Sequence, residues 1–255
     1  YISETYSDVL QETLDRVDKA YKSFFKGNGF PKWAKKKFYN SFTYKRHFTI
    51  SNNKIKLPKI GEVKFFNSKD ISNENLKTAT IIRENNNWFI SITYEISEKP
   101  LLIDNNHAIG IDAGIKIHSY LSNNTFFEKD NHLKNSSKKL RILNRKLSRQ
   151  KKNSKNRNKT VIQLQKLYCK ITNQRKDFNH KLSTVITNTY SAVYVEDLKI
   201  KSLSNKSDLQ KEFADNAFYS FRLMLDYKCK IRGKVFKAVP PFYTSKTCPK
   251  CKKIH

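Results

Sequence analysis

Apolar residues in the first 26 positions recur at the three- and four-residue spacing of a helix. They are Val9, Leu10, Leu14, Val17, Tyr21, Phe24 and Phe25. Gly27 and Gly29 then interrupt the pattern, and glycine just past the last apolar position is a helix stop signal. The pattern therefore predicts one amphipathic helix that ends near residue 26.

From residue 30 to residue 100 the pattern changes to the two-residue period of β-strands. Alternating and β-branched residues occupy FTYKRHFTI, NKIKLPKIGEVKFF, KTATIIREN and NWFISITYEIS, with asparagine-rich turns between them. This succession of short strands predicts a small β-barrel or a twisted sheet.

Aromatic and basic residues are interleaved at the start of this block. They are Trp33, Lys35, Lys36, Lys37, Phe38, Tyr39, Phe42, Tyr44, Lys45 and Arg46. Rings that stack on bases, beside cations that contact phosphates, would suit RNA or an unpaired strand. Rings that simply fill the core of the β-domain would produce the same pattern, and the sequence leaves both interpretations open.

A third block begins near residue 107 and alternates strands with helices. Its strand segments are AIGIDAGI, IHSYLS, TFFE, SAVYVEDL and KVFKAV, with two long helices before SAVYVEDL and one helix at about 209–232 after it. Three strands, helix, strand, helix, strand is the chain order of an RNase H-like α/β sheet. We therefore predict a mixed sheet with helical cover.

The net charge of the chain indicates which kind of molecule it binds. The 51 lysine and arginine residues outnumber the 22 acids, giving a net charge of +29. Such an excess is most easily tolerated beside a polyanion, so nucleic acid is the expected partner. We find no basic amphipathic helix of the membrane-binding kind and no apolar run of about 20 residues, so no membrane contact is expected. The four cysteines do not form a disulfide framework, which favours the cytoplasm or its nucleoid.

The two long helices carry most of this charge. Between Lys134 and Lys181 there are 17 lysine and arginine residues and one acid, Asp177. Apolar stripes through Leu140 and Leu164 predict a helical hairpin that is packed on one side and cationic on the other. The residues expected to bind nucleic acid are Lys138, Lys139, Arg141, Arg145, Lys146, Arg149, Lys151, Lys152, Lys155, Arg157, Lys159, Arg175 and Lys176.

Two acids lie where a nuclease needs metal ligands. Asp112 in GIDAG and Glu196 in VYVEDL each lie within or just after an apolar strand, where an unpaired charge is costly. Adjacent strands would bring both to one edge of the sheet, to hold Mg²⁺ or Mn²⁺ for phosphodiester hydrolysis. Asp112 could instead cap the turn before Gly114, and Asp197 competes with Glu196.

A second metal site is suggested by TCPKC. Cys248 and Cys251 have the spacing of two zinc ligands, but a structural zinc ion normally needs four. His255 is a third candidate ligand. A redox CxxC is the rival interpretation, although PPFYTS is not the strand-to-helix junction that such a motif occupies. The pattern indicates half of a zinc ribbon.

Together these motifs resemble one family. GIDAGIK, KLRILNRKLSRQKKNSKNRNK, QRKDFNHKLST, VYVEDLKIKSL, FRLMLDYKCKIRGKVFKAV and YTSKTCPKC are similar to the OrfB/TnpB family of insertion-sequence proteins, relatives of the type V CRISPR effector nucleases. GFPKWAKKK with KIKLPKIGEV resembles the wedge domain of that family. The resemblance covers nearly the whole chain in the right order.

The resemblance implies an RNA-guided DNA endonuclease with a RuvC-like domain and a zinc ribbon. It implies guide RNA and target DNA as partners, Asp112 and Glu196 as catalytic acids, and Cys248 and Cys251 as zinc ligands. Lys252 departs from the glycine that often follows the family CxxC. The third catalytic acid and the second cysteine pair have no counterpart here, so we expect a fragment that does not cleave by itself, cut at Tyr1 and His255.

The expected domains are the end of a helical recognition segment (1–28), a wedge-like β-barrel (29–100), a RuvC-like domain (105–242) with its helical insertion (134–190), and half a zinc ribbon (243–255). Two rivals to a guided nuclease stay open. One is a guided DNA-binding repressor that does not cut, although such a protein has no need of either catalytic carboxylate. The other is a DNA-joining transposase, which would use the same acids.

Overall fold

Residues 1–98 form one unit of the chain, and residues 99–255 form a second. The computed structural model describes residues 4–35, 39–67, 71, 73, 75–84, 87–95, 107–114, 117–197 and 217–240.

The N-terminal unit contains two three-stranded antiparallel sheets. One has the order β1-β5-β6 and the other β2-β3-β4. The strands are β1 (Ser41–Tyr44), β2 (Thr49–Ser51), β3 (Lys54–Leu57), β4 (Gly61–Lys64), β5 (Leu76–Glu84) and β6 (Asn87–Tyr94). Residues from both sheets share one core, which includes Tyr44, Ile50, Ile55, Leu57 and Ala79. The strands coincide with the predicted segments to within one residue, while the wedge-like barrel stays a prediction.

The aromatic residues of the interleaved block have different environments. Tyr44 is 2% exposed and lies in the core, and Phe42 packs against that core. Trp33 is 93% exposed and Tyr39 is also exposed. Lys36, Lys37 and Phe38 lie outside the described residues. Core packing therefore explains the rings on β1, and a stacking role remains open only for the rings before it.

The first helix, α1 (Ser7–Phe25), docks by its polar face. Asp8 accepts a hydrogen bond from the backbone N–H of Arg46 at 2.9 Å, and Glu12 pairs with Lys45 at 3.1 Å. Both acids are 8% exposed, whereas Leu14 is 69% and Phe25 80% exposed. The helix ends where it was predicted to end, before Gly27, but its apolar face is not the face that it buries.

The C-terminal unit contains a mixed five-stranded sheet in the order β11-β10-β7-β8-β9. The strands are β7 (Ala108–Ala113), β8 (Ser119–Leu121), β9 (Phe126–Phe127), β10 (Ala192–Glu196) and β11 (Val235–Val239). Strands β7, β10 and β11 are parallel, while β8 and β9 run antiparallel to their neighbours. The mixed α/β content that the pattern predicts is present.

Three described helices accompany this sheet: α2 (His132–Arg149), α3 (Lys155–Thr189) and α4 (Phe218–Ile231). Helices α2 and α3 form the predicted hairpin around Leu140, Leu143, Leu164, Leu167 and Ile171. The predicted start of α4 near 209 lies outside the described residues. None of the described helices combines the length and the apolar character needed to cross a membrane.

The second half of α3 packs with α4 on one face of the sheet. Their shared core contains Ile109, Ile111, Leu121, Leu182, Ile186, Val193, Val195, Phe221, Leu225 and Cys229. Because side chains alternate along a strand, β7 and β10 each send every second residue into this core. Their other face is not part of it.

Two lysines tie the helices and the sheet together. The Nζ of Lys228 on α4 donates at 2.7 Å to the Ser183 and Thr184 hydroxyls and to the His180 carbonyl, all on α3. Burial lowers the pKa of Lys228, and the nearby Arg232 charge lowers it further. Lys234 donates to the Thr187 carbonyl at 2.6 Å, at the C-terminus of α3. These contacts fix the direction of α3 relative to α4 and β11.

Two leucines on α4 provide a matched test of this core. Leu225 is 0% and Leu223 47% exposed. Because Leu225→Ala leaves a cavity in a packed core, we expect it to lower the free energy of unfolding by about 2–5 kcal/mol. Leu223→Ala should change it by less than about 1 kcal/mol. Urea unfolding followed by circular dichroism measures both, and equal costs would contradict the packing described for α4.

Candidate functional site

The pairing of β7 with β10 brings the two predicted acids together. Ile111 lies opposite Val195 in this parallel ladder, and both are buried. Asp112 and Glu196 are the next residue on each strand. Neighbouring strands are about 4.8 Å apart, so the two acids begin from adjacent backbone positions at the same edge of the sheet.

Both acids line a shallow depression of about 300 Å³ on the sheet face opposite the helices. Tyr120 lies directly across from Asp112 on β8, and Tyr194 lies two residues before Glu196 on β10. The described residues that line this depression include two acids and no base. In a chain of net charge +29, this is a locally negative site.

Gly114 shapes the end of β7. Its N–H donates to the His118 carbonyl at 3.2 Å, which starts the pairing of β7 with β8. A Cβ at this position would lie 2.6 Å from the Ile117 carbonyl oxygen, a distance that no side chain tolerates. Glycine therefore allows the chain to turn immediately after Asp112. Ile115 and Lys116 of this turn lie outside the described residues, so a turn-capping role for Asp112 stays an open alternative.

The structure distinguishes Glu196 from its neighbour Asp197. The Asp197 carboxylate is ion-paired with the Nη1 of Arg222 on α4. The backbone N–H of Asp197 donates a hydrogen bond to the Val239 carbonyl at 2.8 Å. Glu196 lines the depression together with Asp112, whereas Asp197 does not line it. Of the two adjacent acids, Glu196 is the one that the fold places beside Asp112.

The sequence did not indicate three of the residues around the acids. Tyr194 could have been found from the two-residue period of β10, which puts it on the same face as Glu196. Finding Tyr120 requires the register of β7 with β8, which depends on the length of their turn. Arg222 lies 25 residues from Asp197, and no local pattern predicts that contact.

Most of the predicted nucleic-acid-binding residues are exposed on the hairpin. The exposed set comprises Lys138, Lys139, Arg141, Arg145, Lys146, Arg149, Lys151, Lys152, Lys155, Lys159 and Lys176. The apolar seam between α2 and α3 takes up the opposite side of each helix, so these cations face outward. The arrangement presents a dense positive surface on a rigid helical support.

Arg157 and Arg175, the other two predicted residues, are only partly exposed. Arg157 closes the hairpin turn, because its Nη1 donates to the carbonyls of Leu147 and Gln150 at the C-terminus of α2. Its backbone N–H also donates to the Ser154 hydroxyl, which caps α3. The guanidinium of Arg157 is thus already used within the hairpin.

The metal donors within the described residues are few. No group of three histidine, cysteine, aspartate or glutamate side chains that could hold a metal ion occurs there. Asp112 and Glu196 form a pair of carboxylates, which suits a hard divalent cation that keeps several water ligands. Cys248, Cys251 and His255 lie outside the described residues, so the zinc ribbon stays a prediction.

Comparison with known proteins places this architecture in a family. Residues 91–207 match OrfB_IS605, described as "Probable transposase", and residues 218–255 match the "Cas12f1-like, TNB domain". The chain is 32% identical to "Putative RNA-guided DNA endonuclease InsQ" of Escherichia coli (strain K12), over 98% of this chain and 67% of that protein. It is 31% identical to "Putative RNA-guided DNA endonuclease" of Streptomyces pristinaespiralis, over 98% of this chain and 64% of that protein.

A more distant relative is "CRISPR-associated endodeoxyribonuclease Cas12f1" of Sulfoacidibacillus thermotolerans, 25% identical over 66% of this chain and 43% of that protein. The chain belongs to the OrfB_IS605 transposase family, also called OrfB/TnpB. It spans about two thirds of the length of the E. coli and Streptomyces relatives.

Arg157 and Lys159 lie two residues apart on α3. Comparing substitutions at the two positions distinguishes a cation with a structural role from one that is only exposed on the surface. Arg157→Ala removes charge-assisted hydrogen bonds to two carbonyls, so we expect the hairpin turn to lose about 1–2 kcal/mol of local stability. Lys159→Ala removes an exposed charge and should cost less than about 0.5 kcal/mol. Amide hydrogen exchange around residues 147–150 measures both, and equal protection in the two variants would contradict the capping role of Arg157.

Proposed function

We propose that this chain is the main part of a transposon-associated, RNA-guided DNA endonuclease. The observation that carries the proposal is the pair Asp112 and Glu196, held side by side at the ends of two parallel strands. Membership of a family whose relatives are named RNA-guided DNA endonucleases supports it. The partners proposed are therefore guide RNA and target DNA, and the proposed location is the nucleoid in the cytoplasm.

The sheet of the C-terminal unit is proposed to be an RNase H-like domain of the RuvC type. Its chain order is three strands, a helical hairpin, a strand, a helix and a strand, and its spatial order is β11-β10-β7-β8-β9. In this arrangement the first strand of the domain and the strand after the hairpin lie side by side. Two acids more than 80 positions apart in the sequence can then act on one phosphate.

Asp112 and Glu196 are proposed to hold Mg²⁺ or Mn²⁺. Two carboxylates in a depression with no described basic lining residue are a suitable oxygen donor set for such an ion. When bound, a divalent metal can activate water and stabilise the departing oxygen of a phosphodiester. The carboxylates position the cation, while the ion pair with Arg222 keeps Asp197 out of this role. Among the described residues, these two are the acids that line the depression, and we propose that residues 1–255 bind nucleic acid but do not cleave it alone.

The basic hairpin is proposed to bind the phosphate backbone. Its exposed cations require no particular base sequence, and contacts of this kind position a nucleic acid without reading it. Sequence recognition would then come from pairing between guide and target, as in other RNA-guided effectors. The rigid seam between α2 and α3 would hold the cations at fixed spacing along the strand.

A structural zinc ion is proposed for Cys248 and Cys251. The match of residues 218–255 to the "Cas12f1-like, TNB domain" includes both cysteines and supports this assignment. Two thiolates are half of the usual ligand set. Zinc is therefore proposed to bind residues 1–255 only weakly.

Carboxamide substitutions test the metal acids. In the full-length protein with its guide, Asp112→Asn and Glu196→Gln should each lower DNA cleavage at least 100-fold, because the carboxylates hold metal rather than phosphate. DNA binding should change less than about threefold. Asp197→Asn, the matched control on the same strand end, should retain most of the cleavage.

Cleavage assays in Mg²⁺ and filter binding measure these effects. Undiminished cleavage by the Asp112→Asn and Glu196→Gln variants would contradict the site. Guided binding without any cleavage by the unaltered protein would instead favour a repressor.

Charge neutralisation tests the hairpin. Replacing Lys146, Arg149, Lys151 and Lys152 by glutamine should weaken binding to all sequences. The slope of log affinity against log salt should fall by about 0.7–0.9 for each phosphate that the variant no longer neutralises. The control replaces four exposed lysines of the N-terminal unit, Lys54, Lys56, Lys59 and Lys64, by glutamine. Equal slopes for the hairpin variant and the unaltered protein would show that this surface does not bind phosphate.

A further inference from the structure

Two exposed tyrosines border the acids on the open face of the C-terminal sheet. Tyr194 is 37% and Tyr120 45% exposed, and neither ring belongs to the core under α3 and α4. Tyr120 lies opposite Asp112 in the pairing of β7 with β8. Tyr194 lies two residues before Glu196 on β10, and alternation along the strand puts both on the same face. The two rings can therefore contact a molecule that reaches the acids.

The sheet surface beside the Tyr194 ring is low, because its neighbour is a glycine. Gly110 lies opposite Tyr194 in the ladder of β10 with β7. A Cβ at Gly110 would lie 3.6 Å from the Cβ of Ser122, which is an ordinary contact, so the packing of the sheet does not require glycine there. The space left open belongs to the depression beside the acids. Its volume of about 300 Å³ is at the lower end for small-ligand sites.

A cation lies on the other side of the Tyr194 ring. Lys237 on β11 is paired in register with Tyr194, which puts both side chains on the open face, and Lys237 is exposed. Two residues along a strand span roughly 7 Å, so Glu196 lies about that far beyond the level of Tyr194 and Lys237. The open face thus carries a positive charge and an aromatic ring at one level, and two carboxylates at the next.

This sequence of groups suits one nucleotide of a nucleic-acid strand. A base of any identity stacks on an aromatic ring, and a lysine contacts a phosphate. The carboxylates accept the next phosphate only through a divalent cation, which is the role proposed for them above. An apolar segment of protein is a poorer occupant, because covering the depression would also remove both carboxylates from water.

We propose that Tyr194 and the open floor at Gly110 form a subsite for the nucleobase beside the scissile phosphate. Lys237 contacts the phosphate on the far side of that base, and Tyr120 borders the acids from β8. The inference rests on the proposed function, because it takes the acids to hold the metal ion at the scissile phosphate. Stacking on Tyr194 would fix the strand so that this phosphate meets the acids in a productive orientation.

A double-mutant cycle between the tyrosine and the base tests the subsite. In the full-length protein with its guide, an abasic site is moved along the cleaved strand, and single-turnover cleavage in Mg²⁺ is measured. At one position we expect cleavage to slow by at least about fivefold, the lower limit for losing one base–aromatic stack. Tyr194→Leu should slow cleavage of the intact strand by a similar factor and should abolish the effect of the abasic site. Tyr194→Phe keeps the ring and should keep the unaltered rate.

Tyr227→Leu is the matched control. Tyr227 is 40% exposed and lies on α4, on the other side of the sheet, so its substitution should leave the effect of the abasic site unchanged. An equal effect of the abasic site in the Tyr194→Leu variant and in the unaltered protein would overturn the subsite. Abasic sites that slow cleavage to the same extent at every position would also overturn it.

Photocrosslinking provides a readout that does not require cleavage. Iodouracil is placed at successive positions of the same strand, the guided complex is irradiated without added Mg²⁺, and crosslinked peptides are identified by mass spectrometry. We expect a crosslink to Tyr194 at the position where the abasic site slows cleavage, and its loss in the Tyr194→Leu variant. Crosslinks that omit Tyr194 would contradict the subsite alone. Undiminished cleavage by the Asp112→Asn variant would instead contradict the proposed function.

Discussion

The parallel pairing of β7 with β10 is the constraint on which the C-terminal unit depends. One register places Ile109 and Ile111 beside Val193 and Val195, which seals the core under α3 and α4. The same register puts Asp112 and Glu196 next to each other on the open face, because side chains alternate along a strand. A shift of one residue in this register would move the core side chains to the open face and would bury the two acids. Folding and the candidate site therefore depend on the same contact.

Helix α3 connects this sheet with the cationic surface. Its first half forms the hairpin seam with α2 through Leu164 and Leu167, while its second half packs Leu182 and Ile186 on the sheet. One continuous helix thus carries both exposed cations of the hairpin and part of the core under the sheet. Lys228 holds this helix in place by donating a hydrogen bond to the Ser183 hydroxyl. Because its ammonium group is partly removed from water there, this contact has a desolvation cost.

Helices, strands and candidate acids can be predicted from the sequence, because they depend on local periodicity and composition. Contacts between residues that are distant in the sequence cannot be predicted in this way. Alternation in AIGIDAG and VYVED was sufficient to locate the strands and to propose their acids. It could not decide between Glu196 and Asp197, since the answer depends on Arg222 from α4. It also could not separate Arg157 from the other hairpin cations, because composition does not show which guanidinium faces a helix end. The aromatic block was ambiguous for the same reason, and Tyr44 proved to be core.

Helix α1 shows why periodicity identifies an amphipathic helix without identifying the face that docks. In most small domains a helix docks by its apolar stripe, because burying aliphatic side chains contributes more free energy than exposed ion pairs do. Here Glu12 and Asp15 of α1 pair with Lys45, which follows β1, while the other two cations within 4.0 Å of Glu12, Arg16 and Lys19, belong to α1 itself. Docking the polar face satisfies Lys45 and the backbone N–H of Arg46, which the apolar face could not do. The apolar side chains of Leu14, Val17, Tyr21 and Phe25 then stay exposed.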